Sequence, residues 1–304
     1  MKKIILGAIL FSGTFVWVFR SCERKQDSGA APATTLSVIN TDPSLSIFSL
    51  IASYSGDENY LNNSATMVIP VDSAFVKAGI TKKIAARLSP PECDSIVMYY
   101  TLFDKLDFDC LPGKMVEFSS GLGPLIYVDS SNNKLFFDGI EAMSSRPVKV
   151  GKTSIYKLTQ FVNIPLETVT AIASADSSLS FFNEALKRTH FEDLLSDGPY
   201  TLFMPTNNAF RNAGYKDIAS IDREDIRHLN QILLYQAFQR NFFENQLKKQ
   251  INLTTLQGRE VQVSSQKRLQ FFGNANPNSP ACLLNNGMLA ENVLTYKINN
   301  VLLP

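Results

Sequence analysis

The chain has 304 residues, 45% of them hydrophobic and 19% charged, enough to bury real cores and too apolar to be disordered as a whole. Its formal net charge is +1, but Lys2, Lys3 and Arg20 fall in a segment that reads as a leader, and removing them from the 29 basic residues leaves 26 against 28 acidic ones. That balance excludes the basic face with which a nucleic-acid binder meets phosphates.

Met1-Lys2-Lys3 is a basic start, and Ile4 to Phe19 is an uncharged, mostly apolar run. It is short for the roughly 20 residues of a spanning helix, so a secretory signal peptide is expected over residues 1–21. The run ends in Phe19-Arg20-Ser21-Cys22. A small residue directly before a cysteine resembles the cleavage site of bacterial lipoproteins, and the loose ending in Ser-Cys resembles lipoproteins of the Bacteroidetes. The resemblance implies that Cys22 is acylated and becomes the new N-terminus. Arg20 departs from the small or apolar residue usual there. The alternatives are an ordinary signal peptide cut elsewhere and an uncleaved anchor. Residues 22–36 are expected to form the lipidated N-terminus and a flexible tether, because Glu23 to Leu36 is polar and has no apolar period. Such a chain reaches about 20 Å.

The rest reads as one domain-sized pattern written twice. At an offset of 135, Thr66 meets Thr201, Pro70 meets Pro205, Ala74-Phe75 meet Ala209-Phe210, and Ala78-Gly79 meet Ala213-Gly214. The same offset carries Tyr100 onto Tyr235, Phe103 onto Phe238 and Phe136-Phe137 onto Phe271-Phe272. A period this long is a duplicated globular domain rather than a solenoid. The copies are expected over residues 37–166 and 167–304.

Each copy opens with a helical spacing: Ile47, Phe48, Ile51 and Ala52, then Phe181, Phe182, Ala185 and Leu186. The first copy adds a polar stretch from Ser53 to Asn63. A strand follows (Thr66 to Ile69; Thr201 to Met204) and proline stops it. Asp72 in the first copy, and Thr206 or Asn207 in the second, can cap the short helix that comes next, with Gly79 and Gly214 ending it. A second helix starts at a capping box, Ser89-Pro90-Pro91-Glu92, and is repeated from Ile226 to Phe238. Strands complete each copy. Gly113-x-x-Val116-x-Phe118 is matched with Gly258-x-x-Val261-x-Val263, and final strands run from Ile155 to Pro165 and from Leu294 to Pro304. Helices first and strands later make an α+β domain.

These landmarks resemble the fasciclin domain. The second copy carries an apolar strand followed by Pro205-Thr206-Asn207-Asn208-Ala209-Phe210, then Leu233-Leu234-Tyr235, then Val301-Leu302-Leu303-Pro304, in the family's order and spacing. The first copy is divergent, with Val71 in place of the threonine. The resemblance, of beta-Ig-h3 type, covers roughly residues 37 to 304. It implies two tandem domains, each a twisted β-sandwich or wedge packed with helices, and a role in cell adhesion. The Tyr-His pair that the family links to integrin contact is absent: Gln236 follows Tyr235 and Thr101 follows Tyr100, so both tyrosines are expected to support a core.

Catalytic constellations are lacking. His190 and His228 have no Cys, Asp or Glu at ligand spacing, and no Gly-x-Ser-x-Gly elbow occurs. Asp104, Asp107 and Asp109 read as a solvated loop, without the glycine or terminal glutamate of an EF-hand. Cys93 and Cys110 are candidates for a short-loop disulfide, with buried free thiols the equal alternative. Of each Phe-Phe pair, one ring enters the core and the other faces the opposite surface. Tyr54 and Tyr60, in the polar stretch, are the candidate ligand-binding aromatics. The expectation is a non-catalytic lipoprotein of the outer membrane or cell surface, with no cofactor or metal. It would bind a protein or polysaccharide at the envelope, and the membrane through its lipid anchor. The rivals are an accessory glycan-binding lipoprotein of an outer-membrane polysaccharide-uptake system and a hydrolase using scattered carboxylates.

Overall fold

The computed structural model describes residues 33–304 apart from 57, 112–114 and 197, and of 58, 59 and 110 the backbone alone. The expected signal peptide, Cys22 and the tether up to 32 lie outside the described residues. Ala33–Pro304 form one compact unit. Its regular structure begins inside the expected tether, with the helix Thr35–Thr41, whose Thr35 is buried and bonds Thr153.

Among the described residues the first half has the strands β1 (Thr66–Pro70), β2 (Thr101–Leu102), β3 (Val116–Ser119), β4 (Leu125–Ser131), β5 (Lys134–Phe137), β6 (Ile140–Glu141), β7 (Val148–Val150) and β8 (Thr153–Leu158). The second half has β9 (Tyr200–Pro205), β10 (Ala237–Gln239), β11 (Asn252–Thr254), β12 (Glu260–Ser264), β13 (Gln270–Phe272), β14 (Ala281–Cys282), β15 (Met288–Ala290) and β16 (Val293–Ile298). The sheets are ordered β2-β1-β8-β7 and β3-β4-β5-β6, then β10-β9-β16-β15 and β11-β12-β13-β14. The two halves thus repeat one α+β topology. In each, the first strand pairs in parallel with the last long one, β1 with β8 and β9 with β16. Every residue of β1 and β9 is buried, as befits central strands covered on both faces.

The strand-to-helix turn repeats with one difference. Thr206 is an N-cap whose hydroxyl accepts from Ala209 N–H, whereas Val71 at the same place offers no side-chain cap. Asp72 and Asn207 do not cap the helices they begin. They reach back instead to the start of an earlier helix, Ser46–Ser55 or Ser180–Thr189, accepting from Ile47 N–H at 2.8 Å and Phe181 N–H at 3.0 Å. Gly79 and Gly214 have φ of +85° and +101° and close Schellman motifs, Ile80 N–H bonding Phe75 O and Tyr215 N–H bonding Phe210 O. The polar stretch of the first half is helical: the helix Ser46–Ser55 runs through it to Gly56, and Glu58–Asn63 is a second short helix.

Sheet register corrects three equivalences. Leu102 pairs with Thr66 as Phe238 pairs with Thr201, so Phe238 (0% exposed) corresponds to Leu102 and not to Phe103 (54% exposed). The sheet order places β12 with β4 and β11 with β3, so Val261 and Val263 correspond to Ile126 and Val128 rather than to Val116 and Phe118. Val128 pairs with Phe137 as Val263 pairs with Phe271, so the buried rings are the second of one Phe-Phe pair and the first of the other. The final strands also stop early, at Leu158 and Ile298, and the extended tails beyond them leave the ladder.

Those tails are held by the residue after the helix tyrosine. Because the register shifts by one, Tyr99 corresponds to Tyr235 and Tyr100 to Gln236. The Tyr100 hydroxyl donates to Val162 O (2.7 Å) and accepts from Val162 N–H (3.0 Å). The Gln236 amide donates to Leu302 O (2.8 Å) and accepts from Leu302 N–H (3.1 Å). Two different side chains thus make one reciprocal clamp, each fully satisfied in a buried place. Lys157–Asp42 and Lys297–Asp176 are likewise equivalent ion pairs, tying the last strand to the start of its half.

Candidate functional site

The chemistry-bearing residues that the fold brings together lie at the seam between the halves. The seam starts from β4, which is buried along Ile126-Tyr127-Val128-Asp129, whereas its counterpart β12 alternates between core and solvent. Ile126 and Val128 face the first half's own core. Tyr127 and Asp129 face the other way, onto the second half. The Tyr127 ring lies 5.8 Å from that of Phe243 and joins the second half's core cluster. Asp129 accepts from Asn245 Nδ2 at 3.1 Å.

The β5–β6 turn completes the seam. Phe137 pairs with Ile140 across Asp138-Gly139, and both turn residues have positive φ (48° and 76°), the two-residue hairpin that Asp-Gly favours. Gly139 brings bare backbone against Phe243: a Cβ there would stand 2.7 Å from Phe243 Cβ. Asp138 turns inward, accepting from Tyr127 N–H at 2.8 Å and from the Tyr99 hydroxyl at 3.2 Å. Burial outweighs these bonds and pushes its carboxyl up to about 7. Burial, and then the charge of Asp138, raise the Tyr99 phenol; burial with the charges of Glu117 and Asp138 takes Tyr127 to about 12.

Beside this contact the halves leave a cleft of about 290 Å³. The first half contributes Asp138 to Ile140 and the tail from Gln160 to Asn163; the second contributes Phe243, Glu244, Tyr296 and the stretch from Asn285 to Leu289. No lysine or arginine lines it. Its two carboxylates are each committed to protein partners, Asp138 as above and Glu244 to Lys248 at 2.7 Å.

The docking has a direction. Register equates Ser154 with Leu294 and Lys149 with Leu289, since each pair occupies the same ladder position. The apolar wall on which the first half sits is therefore polar in the first half itself, where those positions line an open hollow with Asp107 and Arg146.

The aromatics expected from sequence lie elsewhere. Tyr54 is exposed on the helix Ser46–Ser55. Tyr60 is half-buried, its ring 5.0 Å from that of Phe103 and its hydroxyl over Gly121, where a Cβ would meet it at 1.9 Å. Neither lines the cleft. Cys93 and Cys282 are buried free thiols, and the side chain of Cys110, the other member of the expected bridge, lies outside the described ones. His190 and His228 are exposed, as are Asp104, Asp107 and Asp109, and Asp107 accepts from Asp109 N–H in a short turn. Among the described residues no group of three His, Cys, Asp or Glu side chains is placed to hold a metal. Sequence reasoning missed the cleft. Asp138-Gly139 is a legible hairpin signal, but nothing local marks Gln160, Asn163 or Asn286.

Residues 177–304 match the fasciclin domain family. Over 245 residues, 80% of this chain, the sequence is 24% identical to transforming growth factor-beta-induced protein ig-h3 of Sus scrofa, and it spans about a third of that relative's length (33%). Among solved structures the chain is similar to a FAS1 domain pair from the insect cell adhesion molecule fasciclin I, with 14% identity, a TM-score of 0.41, and coverage of 88% of this chain and 96% of that one.

Proposed function

We propose that this protein is a tandem fasciclin-type binding module, non-catalytic and anchored by lipid at the bacterial outer membrane or cell surface. Its domains are residues 37–166 and 167–304, behind a signal peptide (1–21), an acylated Cys22 and a short tether. The observation that carries this reading is the match of residues 177–304 to the fasciclin family, together with the repetition of the same sheet orders in the first half. Fasciclin domains serve adhesion or binding. The partner is a protein or polysaccharide of the envelope.

The test is capture. The chain is immobilised on a biosensor and presented with envelope proteins, matrix proteins and glycans, and saturable retention of a specific partner is expected. Absence of binding to all three classes would remove the reading. Incorporation of labelled palmitate that is lost in Cys22→Ser tests the anchor separately.

A further inference from the structure

We infer that the cleft between the halves is a binding site for a neutral, hydroxyl-rich ligand, a sugar ring or short neutral glycan. This rests on the binding-module reading and gives its glycan ligand a chemical class and a site. A volume of about 290 Å³ lies at the lower end for small-molecule pockets, which suits one or two rings.

The lining supplies matching chemistry. Gln160 of the first half and Asn286 of the second both line the cleft, and neither side-chain amide has a hydrogen-bond partner among the described residues. Asn163 reaches nothing better than Met288 Sδ at 3.8 Å. Asn285 accepts from Lys297 N–H at 2.7 Å and keeps its NH₂ group to donate. A carboxamide offers a donor and an acceptor side by side, which fits neighbouring hydroxyls. Phe161 adds an apolar face, its ring fixed against Phe75 (5.2 Å) and Tyr100 (5.8 Å).

Position and charge support the same reading. The tail that carries Gln160, Phe161 and Asn163 is pinned at Val162 by the Tyr100 hydroxyl, so the backbone that presents these groups is held in place before any ligand arrives. With no lysine or arginine in its lining, the cleft offers uronates, sulfates and phosphates no opposite charge to pair with. Gln160, Phe161 and Asn286 also border an adjoining hollow that reaches Lys77 and Ala78, which leaves room for a second ring.

The test is an array of neutral, anionic and amino glycans probed with the full chain, followed by calorimetric titration of the neutral hits. Saturable binding of neutral glycans is expected, with none of the uronate-bearing ones. The double variant Gln160→Ala/Asn286→Ala should bind at least about tenfold more weakly, because two ligand hydrogen bonds are lost. Both residues are exposed, so the melting temperature should not move. Absence of neutral-glycan binding, equal binding of anionic glycans, or wild-type affinity in the double variant would overturn the inference. Protein capture is measured on the same sensor: a protein partner retained while every glycan is ignored sinks the cleft assignment and leaves the adhesion reading standing.

Discussion

Replacing Gly139 by alanine tests whether the two halves are rigidly docked. Two costs add. Alanine at φ +76° leaves the region comfortable for an L-residue, costing about 1–2 kcal/mol. The new methyl would also stand 2.7 Å, 2.8 Å and 2.9 Å from Phe243 Cβ, Cδ1 and Cγ, contacts that overpack the seam by about 1–3 kcal/mol. Gly151→Ala separates the terms, since Gly151 has φ +55° and nothing within 4 Å of an added Cβ. Urea denaturation of both variants should therefore show Gly139→Ala losing about 1–3 kcal/mol more than Gly151→Ala. The tail linking the halves should become easier to cleave by limited proteolysis. Equal losses would mean that the turn slides off Phe243 at no cost and that the seam is not a rigid contact.

Asp138 makes stability depend on pH in an unusual direction. Its folded carboxyl titrates near 7 against an ordinary 3.8, so between these values the folded state holds a proton that the unfolded state has lost, and stability falls as pH rises from about 4 to 7. The full span is at most roughly 4 kcal/mol. Urea midpoints should decline from pH 4.5 to 7.5 and flatten in Asp138→Asn; a flat wild-type profile would count against a buried, proton-holding Asp138. Gln236→Leu strands Leu302 N–H and C=O in a buried place and should cost about 2–4 kcal/mol, with faster exchange of the Leu302 amide. Tyr100→Phe, which frees the half-buried Val162, should cost less, about 1–2 kcal/mol, and an inverted order would refute the equivalence of the two clamps. Thr206→Val copies the arrangement at Val71 and should lose only about 1 kcal/mol of urea stability, the worth of one N-cap.

Much of the fold was legible in the chain. Alternating and 3.6-residue patterns are written by neighbours a few positions apart, so β9, the helix Ile226–Gln236, the Schellman glycines and the Asp-Gly turn all announce themselves locally. So does the duplication, because one topology imposes one pattern of buried positions twice. A constant offset misled only where one residue was gained or lost. The shift after the helix tyrosine hid the fact that Tyr100 and Gln236 do the same work, since they share a place and two bonds but no chemistry that a sequence comparison scores. What covers a buried residue was also beyond reach. Tyr127 reads as one more strand aromatic, and only the docked second half gives its face a neighbour. Ser154 and Leu294 occupy one register position, yet one is polar and the other apolar because the halves dock head to tail and only one of those walls is covered. A sequence records that a face is apolar through local periodicity. It does not record which distant surface meets it, and the seam, the buried Asp138 and the amide-lined cleft are all products of that meeting.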